Sequence, residues 1–554
     1  MKIQKKAGSL GAGRNQKPYK SNMAVSTGIL TYILYLILRI VLARVIGDAG
    51  VGLSAPAFEC IALVTLLFSY GISRTMAGLI RYRVKRDQFK SADRVFQTAF
   101  KLSILISLIA ALALMASAGF FADVLILDTM SKKAIFAAAP VLVLTALINL
   151  FRGYFNGNGF GVLVAHSQYL EKISMLFAVV ACSRIVYDYG LKAAALLQND
   201  IVAYSYGALG AVLGFMLAEI ITLIYLLVVF VMYSGTRKRQ LMQDSGKRVE
   251  SNSEMTGILL GGSVPVACIA VLTNAFMLID QRFFNYCMNR MELSMEKSGL
   301  WGSYYGKFAG LIGIGAALVC LSVGGYITKI AFSYEREEYH IMHDSINLAV
   351  KKLCTIAFPV AINLAVLAEA FVNGLFPGEN AQAVSLIRQG CVIIFLYGVA
   401  YLFGQMLLKM RMMKELLAAA GIAFVLHIAA AYVLLRKLLL GAEGVVYSQI
   451  LFVGIFALLC FLLGIRKLKH RQEWLYSVAF PAAAACVAGL VALLINKLLL
   501  SVAGNLLTIL AACLLSTILY ILLLIILRVM NEEELSRMPF GSIWIALGRM
   551  IGVL

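Results

Sequence analysis

Arg39, Arg44, Arg74 and Arg152 stand inside otherwise apolar runs, and so do Glu171, Glu219, Asp280 and Glu369. A charge at the centre of a bilayer costs about 2.5–3.5 kcal/mol on insertion scales, so each of these side chains calls for a partner or a watery cavity. Arginine is the side chain best suited to a phosphate, because its planar fork donates two parallel hydrogen bonds and keeps its charge in a low dielectric. All four arginines fall in the first third of the chain. A cavity biased in this way suits an anion that must cross a membrane. The four carboxylates are candidates to bind a coupling Na+ or H+, or to pair with an arginine in one state of the cavity.

Position separates the candidates. Arg39, Glu171 and Glu219 lie deep in their runs and are the hardest to explain without a cavity. Arg44, Glu369, Arg388 and Lys307 are close enough to an interface to snorkel, which makes a structural role equally good. Arg74 and Arg152 also suit positive anchors at a membrane surface. Asp280 either serves an ion or pairs with Arg282 or Lys307 near the outer interface. The stretch "LFRGYFNGNG", 150–159, puts Arg152 beside three rings and three glycines. It reads as a cavity mouth, with Tyr154 and Phe155 at headgroup level and the glycines turning the chain into the next span.

The elements that must hold these groups follow from composition. Of 554 residues, 61% are hydrophobic and only 14% charged, and mean hydropathy is +0.87. So few charges cannot cover a soluble chain of this size, whereas runs of roughly 20 apolar residues fit a bilayer. About fourteen such runs are legible, the first near 24–46 and the last near 504–529, giving an all-α integral membrane protein. The net charge of +21 sits in short clusters between runs, at 81–94, 236–250, 409–414 and 466–471. That is the pattern of cytoplasmic loops and not of a nucleic-acid surface. Connections 47–55 and 373–383 carry no lysine or arginine. Both termini are therefore expected in the cytosol of a multi-pass plasma-membrane protein. "GAGRNQK", 11–17, lacks the spacing of a phosphate loop. "HIMHD", 340–344, could hold a metal on a helix face but reads better as a solvated helix among charges. The ten cysteines are scattered singly, as small apolar fillers.

The order of runs suggests an internal repeat. A basic tail (1–23) precedes six spans (24–233), a basic linker (234–257), six more spans (258–465), two extra spans (466–530) and a tail (531–554). Two pseudo-symmetric six-helix lobes around a midplane site is a common transporter plan. Pro140, Pro265, Pro359 and Pro481 within spans supply kinks for helices that bend.

"LRIVLARVIGDAGVG", "LFSYGISRTMAGLIRYRVKRDQFKSADRVF" and "LFRGYFNGNGFGVLVAHSQYLEKI" resemble the polysaccharide-biosynthesis and stage V sporulation protein B branch of the multidrug/oligosaccharidyl-lipid/polysaccharide exporter superfamily. "VPVACIAVLTNAFMLIDQRFF" and "YYGKFAGLIG" resemble its seventh and eighth spans. The resemblance implies fourteen spans in two lobes, alternating access, and a cargo of undecaprenyl-pyrophosphate-linked saccharide, moved by a monomer among membrane lipids. Related lipid II flippases use arginines on their first two spans, and Arg39, Arg44 and Arg74 stand at matching positions. Two departures are "GISR", where the family commonly reads "GIP", and a long connection at 282–303.

A flippase for lipid-linked saccharides is thus the expected function. A cation-coupled drug exporter of the same fold is the alternative, and the arginine bias argues against its cationic cargo. A membrane glycosyltransferase would need an acidic or metal-binding site and a sizeable outer domain. A non-transporting scaffold leaves the buried arginines without a purpose.

Overall fold

The computed structural model describes residues 21–244, 250–536, 540–550 and 552. Most of the expected basic tail, residues 1–20 with "GAGRNQK", lies outside the described residues, as do 245–249 of the linker and 537–539, 551, 553 and 554 of the C-terminal tail. Every element among the described residues is helical. Among the described residues, twelve helical stretches are long and apolar enough to cross a membrane, so the chain is a multi-pass membrane protein.

Helix α1 (Ser21–Thr65) doubles back at Gly47, whose φ of 66° lies in the left-handed region that glycine adopts without strain. In one straight helix Arg39 and Glu59 would be about 30 Å apart, yet Tyr305 touches both. A π turn leads into α2 (Gly71–Val84). The first half continues through α3 (Phe89–Phe120), α4 (Lys132–Gly157), α5 (Gly161–Leu197) and α6 (Ile201–Met242). A capping box, Ser251 with Glu254, starts α7 (Asn252–Asn274), and α8 (Phe276–Arg290) follows almost without a break. Then come α9 (Lys297–Gly302), α10 (Ala309–Glu335), α11 (Tyr339–Val366) and α12 (Ala368–Leu375). The second half ends with α13 (Ala381–Gly390), α14 (Val392–Lys409), α15 (Met413–Ala431) and α16 (Gly441–Leu468). Helix α17 (Phe480–Ile526) breaks at Gly504, φ 73°, and short α18 (Glu532–Ser536) and α19 (Gly541–Met550) follow.

Contacts between connections define two faces. On one, Arg237 pairs with Asp93 at 2.5 Å, Arg83 and Ser91 both bond Glu250, and Arg94 bonds Asn252 at 3.0 Å. Lys351 meets Glu534 at 2.8 Å and Lys467 meets Glu415 at 3.1 Å on the same face. This face gathers the basic clusters seen in the sequence. On the other, Lys307 is fully buried and bonds Asp48 at 2.6 Å and Asn380 at 2.8 Å. It does not snorkel. It ties the α1 reversal to the turn before α13, its charge met by a carboxylate and by two carbonyls, of Pro377 and Glu379.

Helices α1 and α9 touch backbone to backbone on that face. A Cβ on Gly302 would fall 1.8 Å from the Asp48 carbonyl oxygen, and one on Gly52 would fall 2.0 Å from that of Ser298. No side chain fits there. The two halves are therefore sealed at the end that lacks basic loops.

Three expectations change. The connection 282–303 is helical to Arg290 and again from Lys297, because Phe284, Asn285, Cys287 and Met288 form a buried stripe on α8. In "LFRGYFNGNG", Tyr154 and Phe155 are 4% and 0% exposed, Tyr154 packing with Phe96 and Phe230 and Phe155 with Phe160 and Tyr233, so they are core and not headgroup rings. Gly153 and Gly157 let α4 lie against α2, where a Cβ would fall 2.5 Å from Ser73 Oγ or 2.8 Å from Ile80 Cβ; only Gly159, φ 87°, makes the turn.

The third concerns "HIMHD". His340 does face solvent and pairs with Asp344 at 3.1 Å. His343, however, stacks on buried His470 with the two Nδ1 atoms 3.0 Å apart. Burial and the neighbouring His343 hold His470 below the usual histidine range, against the opposing bond from Gln472. A depressed imidazole favours the neutral form when folded, so this contact is intact above about pH 6.5 and weakens as pH falls below it. Amide exchange at 466–473 is expected to accelerate between pH 7 and pH 5.5 beyond the intrinsic pH effect. Unchanged protection would refute it.

Candidate functional site

Two adjoining cavities, about 490 and 700 Å3, meet between the halves and share Tyr32, Arg39, Glu59 and Tyr305. The first-half compartment is walled by α1, α4 and α5, which bring in Arg152, Glu171 and Lys172. The second-half compartment is walled by α7, α10, α14 and α16. Its lining runs down to Leu408 and Leu416, beside the basic connection at 409–414.

Arg39 is the centre of this space. Its guanidinium lies 4.8 Å from the Tyr35 ring and 4.6 Å from the Tyr305 ring. One terminal nitrogen donates to the Tyr305 carbonyl and the other to the Tyr35 hydroxyl at 3.1 Å. Among the described residues no carboxylate comes within ion-pair distance of it, and its Nε has no hydrogen-bond partner. Glu59, the nearest acid, is bonded instead by the Tyr305 side chain. Cation–π contact with two rings and two hydrogen bonds hold the fork rigid, and Glu59 acts on its charge only through space, without a direct ion pair.

Arg152 is placed on the same cavity but is already matched. It donates to Ser167 at 2.9 Å and pairs with Glu171 at 2.6 Å, and Lys172 pairs with the other Glu171 oxygen at 2.6 Å. Two cations against one buried carboxylate leave a net positive charge on this wall. Glu219 sits behind it, 2% exposed, accepting from Thr145 at 3.1 Å. Glu171 and Glu219 thus belong to one first-half network.

The other candidates are elsewhere. Arg44 is exposed and donates to the Leu375 carbonyl at 3.1 Å, away from both cavities. Arg74 bonds the Tyr70 hydroxyl at 2.9 Å, and Tyr70 lines the first-half compartment, so Arg74 stands at the mouth and not on the wall. Glu369 and Arg388 form a half-exposed surface pair at 3.5 Å. Asp280 is fully buried and meets neither Arg282 nor Lys307. Its Oδ1 lies 3.1 Å from His427 Nε2 and 3.2 Å from Ser448 Oγ, while Oδ2 has no partner. Arg282 instead donates to the Val124 carbonyl at 2.7 Å. Phe276 and Phe452 pack on the His427 ring, and Phe452 also lines the cavity, so Asp280 and His427 lie one side chain behind its wall.

Sequence reasoning missed Lys172, Tyr35, Tyr305 and His427. Only Lys172 carried a usable signal, as a second charge beside Glu171 within one apolar run.

The two halves of the chain meet at a central cavity that holds a stacked arginine. Over 90% of this chain and 98% of the other, the structure aligns with "Lipid II flippase MurJ, inward closed conformation" at TM-score 0.59 and 14% identity. It also aligns with an inward-facing multidrug resistance MATE family transporter of the MOP superfamily, TM-score 0.55 at 16% identity, over 79% of this chain and 94% of that one. The chain has the fold that these two transporters share. Residues 21–280 match the family model described as "Polysaccharide biosynthesis protein". "Stage V sporulation protein B" of Bacillus subtilis (strain 168) is 27% identical over 206 residues, a match that spans 37% of each chain.

Proposed function

We propose that the protein is a flippase that moves an undecaprenyl-pyrophosphate-linked saccharide across the bacterial plasma membrane by alternating access, with both termini in the cytosol. The observation that carries this reading is Arg39, a rigid guanidinium on the cavity wall with no carboxylate paired to it. A pyrophosphate would complete its charge, with Lys172 beside it on the same wall. Family similarity to polysaccharide biosynthesis proteins supports the saccharide. A cationic drug, the cargo of the alternative reading, would meet Glu171 already claimed by two cations, and Glu59 bonded by Tyr305 with Arg39 nearby.

Binding distinguishes the two. A short polyprenyl pyrophosphate is expected to raise the melting temperature of the purified protein, by ligand linkage, and a hydrophobic cation is not. The reverse result would favour the drug exporter. Orientation is tested separately: cysteines at residues 85 and 240 should resist an impermeant reagent in intact cells, and labelling of either would invert the assignment.

For the coupling ion, the partners of Asp280 favour a proton. An imidazole and one hydroxyl are a poor cage for Na+, a hard cation that takes oxygen ligands, whereas a carboxylate–imidazole pair holds and releases a proton readily. Asp280→Asn is expected to flatten the dependence of transport on a proton gradient while protein levels persist. Intact gradient dependence would move the ion site to Glu171, Glu219 or Glu369.

A further inference from the structure

The second-half compartment differs in chemistry from the first. Apart from Arg39 and Glu59, which α1 contributes, its lining holds no lysine, arginine, aspartate or glutamate among the described residues. It offers instead Tyr305, Tyr397 and Tyr401 with the side-chain amides of Asn274, Gln405 and Gln449. The nearest cation at the mouth, Lys409, is bonded to Thr328 at 2.7 Å and lies outside the lining.

These groups are set in place. Gln449 is 5% exposed, accepts from the Tyr304 hydroxyl at 3.0 Å and is bonded to Tyr397 as well. Two tyrosines therefore fix the direction of its amide. Gln405, on α14 one turn beyond Tyr401, makes no hydrogen bond to another described residue. The compartment's volume of about 490 Å3 falls in the ~300–1,000 Å3 range that encloses a small organic ligand. That is room for a short saccharide and not for a polymer.

We propose that this wall is a saccharide subsite, selective for an uncharged sugar bearing hydroxyl and amide groups; the assignment rests on the reading that Arg39 holds the pyrophosphate. The apolar face of a sugar ring packs on tyrosine rings, whose hydroxyls stay available at the edge. Gln405 can donate and accept, and Asn274, whose amide nitrogen already donates to the Ala270 carbonyl at 2.8 Å and to Thr273 Oγ1 at 3.2 Å, offers its oxygen as an acceptor, which together match hydroxyl and acetamido groups. A carboxylated sugar would bury a charge that nothing on this wall meets. Tyr305 joins the two regions, since its carbonyl accepts from Arg39 and its ring borders both compartments.

The test measures binding of three probes to the purified full chain: a bare short polyprenyl pyrophosphate, the same lipid carrying an N-acetylhexosamine, and one carrying a hexuronic acid. The wild-type protein is expected to bind the amino-sugar probe about tenfold more tightly than the bare one, and the uronic acid probe no better than the bare one. Gln405→Ala and Tyr397→Phe should erase that tenfold gain while leaving the affinity for the bare probe unchanged, and Gln405→Ala should leave the melting temperature unchanged as well. A gain that survives in both variants, or a preference for the uronic acid, would overturn the subsite. Failure of the bare probe to bind the wild type would overturn the pyrophosphate reading itself.

Discussion

Replacing Arg39 with alanine is expected to abolish transport while leaving a folded protein in the membrane. The side chain makes no direct ion pair among the described residues, and Glu59, which feels its charge through space, keeps its bond from the Tyr305 side chain when it is removed. What disappears is a set of charge-assisted hydrogen bonds to the cargo, each contributing about 1.5–3 kcal/mol, or roughly ten- to hundredfold in binding. Lysine in the same place should restore only part of the activity. It keeps the charge but loses the fork, and it stacks less well between Tyr35 and Tyr305. Arg44→Ala is the control, because Arg44 reaches only the Leu375 carbonyl, and its transport should stay near wild type. Equal loss in both variants would mean that general positive charge, and not a site, was being measured.

The second large effect concerns the seal. Gly302→Val introduces atoms where a Cβ already falls 1.8 Å from the Asp48 carbonyl oxygen, and the obstacle is backbone that cannot rotate away. Overpacking of this kind costs about 1–3 kcal/mol, enough to shift a two-state equilibrium ten- to hundredfold away from the sealed form. Transport should fall, and disulfide cross-linking between cysteines introduced at Ala49 and Leu300 should fall with it. Gly299→Val is the matched control, since nothing lies within 4 Å of a Cβ there. Undiminished cross-linking in Gly302→Val would show that the contact does not hold the halves together.

The spans were readable because a bilayer demands long apolar runs, and Arg39 was readable because nothing else explains a guanidinium in the middle of one. What surrounds Arg39 was not. Tyr305 is 266 positions away along the chain, and a tyrosine is unremarkable anywhere in a membrane helix. His427 stands among apolar residues in the sequence, and only the fold sets it against Asp280. Arg44 misled for a geometric reason: it is five positions from Arg39, which on a helix of 3.6 residues per turn puts it well around the axis. The glycines of "LFRGYFNGNG" misled similarly, since a turn residue and a close-packing residue have the same letter, and only the neighbouring α2 distinguishes them. The stripe that made α8 helical lay in a stretch with too many polar residues to read as a span.

The account stands most directly on one measurement: translocation of a saccharide-bearing polyprenyl pyrophosphate across liposomes containing the purified protein, followed by an impermeant reagent that modifies the sugar in the outer leaflet. Wild-type protein should make the lumenal half of the probe accessible at a rate far above protein-free vesicles, and Arg39→Ala vesicles should match the protein-free rate. Wild-type vesicles no faster than protein-free ones, or Arg39→Ala vesicles as fast as wild type, would contradict it.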